Sequence, residues 1–328
     1  MKQTVSVAPM MDCTDKHDRY FLRLISKNVK LYTEMIVANA IIKGDTDFHL
    51  KFNLVEKPLV LQIGGSNPTE LAQATKIAEN YGYDEINLNL GCPSKKVQKN
   101  KFGACLMKEP KLVGDCINAM VNACKLPISI KTRIGFDDCE NYEYLKKFIS
   151  TIKKAGSKTF IIHARRAILD KLTPKQNLNI PPLNYNFVYN IKKDFKNDTV
   201  ILNGGIDTIN KIKTHLGKVD GVMIGRAAYH SPYFLADVER EIFNNDILLT
   251  RAEIMEYMIP YIKEETKKGT RLNQIMRHTI GLFHGQKGSS YWKRYLSENM
   301  CIRDADLQKV NHIMDHIKKN NIGMSLGR

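Results

Sequence analysis

The sequence predicts an α/β fold: a (β/α)8 TIM barrel followed by a small C-terminal all-helical domain. Eight short apolar runs rich in β-branched residues recur through the first 225 residues, and segments with helical spacing separate most of them. Strands that alternate with helices form parallel βα units, and eight such units can close a barrel. After Phe243 the strand pattern stops, and helical spacing dominates residues 251–319. We therefore predict a barrel domain over residues 1–243 and a helical domain over residues 244–328.

The strands are predicted, in order, at residues 4–9, 30–34, 59–63, 85–90, 128–132, 159–164, 200–203 and 221–225. Helical periodicity is clearest at residues 69–81, 110–125 and 142–155. Cys116 and Cys124 share the apolar stripe of the second of these helices, so we interpret them, with Cys105, as small buried residues. A doubly wound open sheet is the alternative fold, but no Gly-x-Gly-x-x-Gly motif follows the first strand.

The composition is that of a globular protein, with 43% hydrophobic and 26% charged residues. The 50 basic residues exceed the 34 acidic residues, which gives a net charge of +16. Such an excess fits either a polyanionic partner or a lysine-rich solvated surface, and charge alone does not separate them. An odd count of seven cysteines without a Cys-x-x-Cys pair argues against a disulfide framework or a structural zinc site. With no signal peptide and no apolar run of membrane-spanning length, we expect a cytoplasmic protein without a membrane partner.

Active sites of such barrels lie at the carboxyl ends of the strands. Seven of the predicted strands end in polar, small or reactive residues. The loops after the last two strands commonly bind phosphate, and here they contain Asn203, Gly204 and Gly205, then Gly225 and Arg226. Glycine allows the backbone N–H groups to approach a phosphate, and an arginine neutralises it.

Three further strand-end residues suit the polar edge of a flavin ring. Lys131 and His163 end neighbouring strands, and a cation near the N1–O2 edge stabilises a reduced flavin. Gln62 can pair with the amide edge of the ring. Cys92 precedes Pro93, which cannot continue a strand, so the thiol lies where the chain leaves the barrel. We interpret Cys92 as the catalytic residue.

The sequence resembles the tRNA-dihydrouridine synthases, most closely the bacterial A-type branch. The similarity covers nearly the whole chain and is carried by APMMDCTD (8–15), INLNLGCPS (86–94), VQKNKFGACLMKEP (97–110), IIHARRAILDKLTPKQN (161–177), LNGGI (202–206) and RHTIGLFHGQKG (277–288). One departure is Asn100, where the family usually has glycine. Asn tolerates a positive φ, so a turn there can survive.

The resemblance implies an FMN-dependent enzyme that reduces uridines at positions 20 and 20a of the tRNA D-loop, with NADPH reducing the FMN. Hydride would go to uracil C6, and Cys92 would protonate C5. Asn89 would contact the uracil, and Arg133 would help to line the pocket. The implied FMN contacts are Ala8, Pro9, Met10, Gln62, Lys131, His163, Asn203, Gly204, Gly205, Gly225 and Arg226.

Two basic stretches fit an RNA partner. Residues 93–111 carry six lysines against one glutamate, and residues 263–294 carry eight basic residues against two glutamates. The second stretch also contains His278, His284, Tyr291 and Trp292, and basic side chains among aromatic ones are typical of nucleic-acid surfaces. We expect a monomer that binds tRNA and not DNA, with contacts at Arg165, Lys175, Arg277, Lys293 and Arg294.

The chemistry can be justified apart from the resemblance. A thiol with an ordinary pKa of about 8.5 is mostly protonated at neutral pH and can act as a general acid. A uracil must leave its stack to reach a flavin, which is easiest in an RNA loop. Two alternatives stay open: an FMN barrel acting on a free pyrimidine, as dihydroorotate dehydrogenases do, and an RNA-binding protein with a vestigial barrel.

Overall fold

The computed structural model describes residues 3–302 and 306–325 and contains all eight expected strands in one parallel sheet. The strands run in the spatial order β1-β8-β7-β6-β5-β4-β3-β2. Their bounds are β1 (Thr4–Val7), β2 (Leu31–Val37), β3 (Leu59–Gly64), β4 (Glu85–Leu90), β5 (Ile128–Arg133), β6 (Thr159–His163), β7 (Thr199–Asn203) and β8 (Gly221–Ile224).

Hydrogen bonds at Lys30 close this sheet between β1 and β2. The carbonyl oxygen of Lys30 accepts from the N–H of Val7 at 2.9 Å, and the N–H of Lys30 donates to the carbonyl of Val5 at 3.0 Å. Ser6 and Lys30 form the corresponding parallel bridge. Since every strand then has two neighbours, the predicted (β/α)8 barrel is confirmed.

Helices connect the strands and continue after them. They are α1 (Lys16–Ile25), α2 (Ala38–Lys43), α3 (Thr46–Leu50), α4 (Pro68–Glu79), α5 (Lys95–Lys99), α6 (Pro110–Ala123), α7 (Tyr142–Lys154), α8 (Tyr185–Asp194), α9 (Ile209–Leu216), α10 (Arg226–His230), α11 (Phe234–Phe243), α12 (Arg251–Lys267), α13 (Leu272–Met276), α14 (Ser289–Asn299) and α15 (Leu307–Lys319). Among the described residues, no helix combines the length and apolar character needed to cross a bilayer.

The helix sequences explain where these helices begin and which face they bury. The Asn67 side chain caps α4 by accepting from the N–H groups of Thr69 and Glu70, and Pro68 occupies the first turn. In α6, Cys116 is fully buried, as expected. Cys124 follows the end of α6 and is only half-buried, as is Cys105. Our prediction of burial was therefore correct for one of these three cysteines and wrong for the other two.

The lower interior of the barrel is apolar. Buried Tyr32, Val60, Ile161, Ile201 and Met223 pack together there with Ala8, and Met10 lies against them. Alternate residues of a strand point to the same side of a sheet. The same strands therefore direct the polar residues nearer their carboxyl ends into the barrel mouth.

The described residues fall into two compact units. Residues up to 11 and residues 30–225 form the barrel unit, whereas residues 12–29 and those from 226 onward form the helical unit. Helix α1, which follows the first strand, thus groups with the C-terminal helices, and so do α10 and α11. The functional domain division expected at residue 243 stays a prediction.

Within the helical unit, α1 packs against α12. The rings of Tyr20 and Tyr261 stack with centroids 3.9 Å apart, and the Tyr261 hydroxyl lies 2.7 Å from Nδ1 of His17. Lys16 forms an ion pair of 2.7 Å with Glu265. These contacts explain why the segment after β1 belongs with helices that come more than 200 residues later.

Candidate active site

Cys92 is held from both sides of its backbone. The Oδ1 atom of Asn89 accepts from the N–H groups of Gly91 at 3.1 Å and Cys92 at 3.0 Å. The Cys92 carbonyl accepts from the N–H of Ala104 at 3.0 Å. Gly103 has φ +77°, and a Cβ there would lie 2.7 Å from the Cys92 carbonyl oxygen, so only glycine permits this approach. The loop beyond β4 therefore fixes the position of the thiol.

The surroundings of Cys92 keep its thiol protonated. Burial raises the pKa of the Cys92 thiol above its ordinary value. A backbone hydrogen bond at Ser94 and the positive charges of Arg133 and Lys131 lower the pKa, but they do not outweigh burial. A proton held in this way is available for transfer at neutral pH, which is what a general acid requires.

A chain of side-chain amides fixes Gln62 and Asn89. Asn89 donates from Nδ2 to Oε1 of Gln62 at 2.8 Å, and Gln62 donates from Nε2 to Oδ1 of Asn87 at 2.8 Å. Asn87 in turn donates to the Ser129 hydroxyl at 2.9 Å. These bonds leave Asn89 one N–H, and they leave Gln62 one N–H and one oxygen lone pair, for a ligand.

Lys131 and Asn203 come together as the strand ends predict. The Lys131 Nζ donates to Oδ1 of Asn203 at 3.0 Å, and Asn203 donates from Nδ2 to the Met223 carbonyl at 2.8 Å. Burial, with a smaller contribution from the positive charge of Arg133, lowers the pKa of Lys131 to about 7. The site thus contains a half-buried lysine whose amine is poised to be protonated when an electron-rich group binds beside it.

Two glycines with positive φ follow β7, and one glycine beside open space follows β8. Gly204 and Gly205 have φ values of +115° and +70°, and a Cβ on Gly204 would lie 3.4 Å from the buried His163 ring. A Cβ on Gly225 would meet nothing within 4 Å, so the space beside this glycine is open. Arg226 is the first residue of α10 and belongs to the helical unit. Open space therefore lies beside Gly225, whereas Leu183 and the Tyr185 hydroxyl fill the space beside Gly205.

Arg133 connects the loops around the site. Its Nε donates to the Gly91 carbonyl at 3.0 Å, and its Nη1 donates to the carbonyls of Arg166 and Asn177 at 3.2 Å each. Burial lowers the pKa of Arg133 to about 10, which leaves it charged at neutral pH. Arg133 therefore has a structural role beside Cys92, and its contact with a substrate stays a prediction.

The predicted cofactor contacts Ala8, Pro9 and Met10 follow β1. Ala8 is buried and donates its N–H to the Ile224 carbonyl at 2.7 Å, whereas Pro9 and Met10 are half-buried.

Asn100 has φ −91°, and the positive φ in the loop after α5 occurs at Lys101, with +56°. A left-handed residue at position 100 is thus not needed, which removes the concern about the missing family glycine.

Cys92 also lines a cavity of about 370 Å³ that our sequence reasoning missed. Met35 and Val37 of β2, Asn39 of α2 and Glu70 of α4 form much of its wall. The predicted second strand ends at residue 34, three residues before the end of β2 at Val37, and no site residue is predicted at that strand end. The signal available was the apolar continuation of the strand beyond Glu34.

Among the basic candidates, Arg165 and Lys175 lie in the segment between β6 and α8. Arg165 is half-buried and donates to the carbonyls of Pro181 and Asn179, whereas Lys175 is exposed. In the helical unit, Arg277 is paired with Asp15 at 2.7 Å, and Lys293 and Arg294 are exposed on α14. Each of these side chains except Arg165 thus offers a cation at the surface.

Two of the aromatic residues expected on the RNA surface are buried instead. Trp292 is 1% exposed and donates from its ring N–H to the Thr279 carbonyl at 3.0 Å. His278 is 2% exposed. Both are buried within the helical unit, Trp292 because it lies on the inward side of α14 and His278 in the short turn at residues 277–279, so their assignment to a surface was wrong.

Comparison with known proteins gives one family. The family model "Dihydrouridine synthase (Dus)" matches residues 6–320. A protein of Vibrio parahaemolyticus named tRNA-dihydrouridine(20/20a) synthase is 52% identical over 317 residues, which cover 96% of this chain and 97% of the relative. A protein of the same name from Escherichia coli K12 is 50% identical, with 94% and 90% covered. Morphinone reductase in complex with tetrahydroNAD is a solved structure similar to 73% of this chain and 86% of its own, with a TM-score of 0.49 and 11% identity.

Proposed function

The chain belongs to the dihydrouridine synthase family and is therefore an oxidoreductase that forms dihydrouridine, and we propose that it acts on D-loop uridines of tRNA. By the names of its relatives, the positions are 20 and 20a. We further propose FMN as its cofactor and NADPH as the reductant. The single observation that carries the mechanism is the position of Cys92, whose N–H donates to Oδ1 of Asn89 and whose thiol has a pKa raised by burial and lowered in part by the nearby Arg133 and Lys131.

The residues of the barrel mouth fit FMN. The open space at Gly225 and the left-handed Gly204 and Gly205 suit a phosphate group, and the half-buried Lys131 suits an electron-rich ring edge. We assign Gln62 and His163 to contacts with the flavin ring, and the backbone of residues 8–10 to contacts with the face of that ring. Asn203 and Arg226 are assigned to the phosphate end of FMN. When bound and reduced by NADPH, FMN supplies a hydride for C6 of the uracil.

Cys92 completes the reaction as the general acid. Addition of hydride at C6 places negative charge on C5, beside the C4 carbonyl, and a proton from a neighbouring acid relieves this charge. The raised pKa of the half-buried Cys92 thiol keeps this proton bound until it is needed. The thiolate that remains lies near the charges of Arg133 and Lys131, which stabilise it before it is reprotonated.

Asn89 is proposed to hold the uracil. Its Oδ1 atom is occupied by the backbone of the Cys92 loop, and one N–H of its Nδ2 donates to Gln62. The remaining N–H can donate to a uracil carbonyl. The same residue would thus position both the acid and its target.

Substituting Cys92 tests this proposal. Cys92→Ala should keep its FMN and should still oxidise NADPH when a slow alternative electron acceptor is present. It should form dihydrouridine in tRNA at least 100-fold more slowly than the wild type, since general acids accelerate reactions by factors of about 10² to 10⁴. Cys105→Ala is the matched control, because Cys105 is a half-buried thiol in the segment after Cys92. A Cys92→Ala enzyme that forms dihydrouridine at the wild-type rate would refute the acid assignment. Turnover of free pyrimidines instead of tRNA would favour the dehydrogenase-like alternative.

A further inference from the structure

The two carbonyls of the Gly204–Gly205 turn are each bound by a side chain of the barrel unit. The hydroxyl of Tyr185, the first residue of α8, donates to the Gly204 carbonyl at 3.0 Å. The Nζ of Lys211 donates to the Gly205 carbonyl at 3.2 Å and forms an ion pair of 2.7 Å with Asp207. The direction of both carbonyls is therefore set from outside the turn.

These bonds also set the direction of the N–H groups in the turn. A trans peptide is planar and carries its C=O and N–H on opposite edges. The N–H of Gly205 therefore points away from the Tyr185 hydroxyl, and the N–H of Ile206 points away from Lys211. Gly204 and Gly205 reach this arrangement with φ values of +115° and +70°. Successive N–H groups in such a turn form the concave sites that bind anions.

Aromatic packing fixes the Tyr185 hydroxyl. The Tyr185 ring lies against the buried His215 ring, with centroids 4.5 Å apart, and the Tyr189 hydroxyl is 2.7 Å from Nδ1 of His215. Burial raises the pKa of the Tyr185 hydroxyl, so it stays protonated and able to donate at neutral pH. A Cβ on Gly205 would lie 2.8 Å from this hydroxyl oxygen, so the turn and the hydroxyl are in close contact.

We infer that Tyr185 is a positioning residue for the phosphate of the cofactor, an inference that rests on the proposed function. By binding the Gly204 carbonyl, its hydroxyl keeps the N–H of Gly205 directed at the phosphate that we assign to this turn. Without the hydroxyl this carbonyl loses its donor, and the two glycines have no side chains to oppose rotation of the peptide. Tyr185 acts through the turn, so its effect belongs to the phosphate end of FMN.

Tyr185→Phe tests this role, because it removes the hydroxyl and keeps the ring that packs on His215. The full chain is freed of flavin, and Kd is measured by fluorescence quenching for FMN and for riboflavin, which has the same ring system without the phosphate. Loss of one hydrogen bond at the turn should weaken FMN binding about fivefold and change riboflavin binding less than about twofold. A role in packing alone would weaken the binding of both flavins equally. The ³¹P resonance of bound FMN should also shift in the variant.

Tyr189→Phe is the matched control. Tyr189 lies one turn later on α8 and is also half-buried, but its hydroxyl binds His215 and not the glycine turn. It should keep the wild-type ratio of the two Kd values. An unchanged ratio in Tyr185→Phe would overturn the inference and leave FMN as the proposed cofactor. Equal binding of FMN and riboflavin by the wild type would overturn the phosphate site as well, and a wild type that binds neither flavin would contradict the proposed function itself.

Discussion

The charge of Lys131 depends directly on its surroundings. It is enclosed in the barrel mouth, its Nζ donates to Asn203, and burial brings its pKa to about 7. Below this pH the amine is charged and attracts an electron-rich ligand, whereas above it the amine becomes neutral. Binding of such a ligand should therefore be accompanied by uptake of a proton.

This charge predicts a pH dependence of cofactor binding. FMN affinity should fall as pH rises from 6 to 9, because the protonated amine is lost, and Lys131→Met should bind FMN at least tenfold more weakly at pH 6.5. The quenching of flavin fluorescence measures both. Titration of the FMN phosphate affects wild type and variant alike, so the difference between them isolates Lys131. Lys171→Met, which changes an exposed lysine, should behave as wild type. An identical pH profile in Lys131→Met would contradict the prediction.

Among elements, α1 shows the limits of sequence patterns. Each strand could be predicted because its apolar run is local, and seven of the strand ends could be read in order. The grouping of α1 with α12 could not, because it depends on contacts such as Tyr20 with Tyr261 that no periodicity encodes. The cavity could not be predicted from periodicity either, because Asn39 and Glu70, which line it, come from helices that follow different strands.

The α1–α12 contact predicts that the helical unit loses stability in mild acid. Burial is the largest influence on His17 and lowers its pKa from 6.5 to about 4, although Asp15 and Glu265 favour its charged form. Between these values the unfolded chain binds a proton that the folded chain does not. Stability therefore falls as pH falls from about 6.5 to 4, at up to about 1.4 kcal/mol per pH unit.

His17→Gln removes this titration and should flatten the slope between pH 4.5 and 6.5 in urea unfolding followed by circular dichroism. The lower limit avoids Asp15 and Glu265, whose pKa values are lowered and whose contributions are lost only in stronger acid. His284→Gln is the control, because His284 is exposed in the same unit. A wild-type slope in His17→Gln would show that another group causes the acid sensitivity.

For the whole molecule, family membership confirms the resemblance seen in the sequence motifs. The motifs could locate Cys92 and the glycine loops at strand ends because their residue types are tied to local backbone geometry, such as the φ of +70° at Gly205, and the roles of these residues stay predictions. Surface assignments were less successful. Trp292 and His278 lie in a basic stretch, yet α14 turns the tryptophan inward, and a stretch of sequence does not distinguish the two sides of a helix.

The net charge of +16 predicts the strength of RNA binding only when particular basic side chains are assigned to contacts with RNA phosphates. Lys293 and Arg294 are exposed on α14, and neutralising two phosphates should contribute about 1.4 to 1.8 to the slope of log Kd against log salt. Lys293→Ala combined with Arg294→Ala should reduce the slope by this amount, weaken tRNA binding and leave the FMN content unchanged. Lys267→Ala with Lys268→Ala is the matched control, since Lys268 is already paired with Glu264 and Glu265. If both double variants show the wild-type slope, the surface of α14 does not contact tRNA, and the excess lysine there serves only solvation.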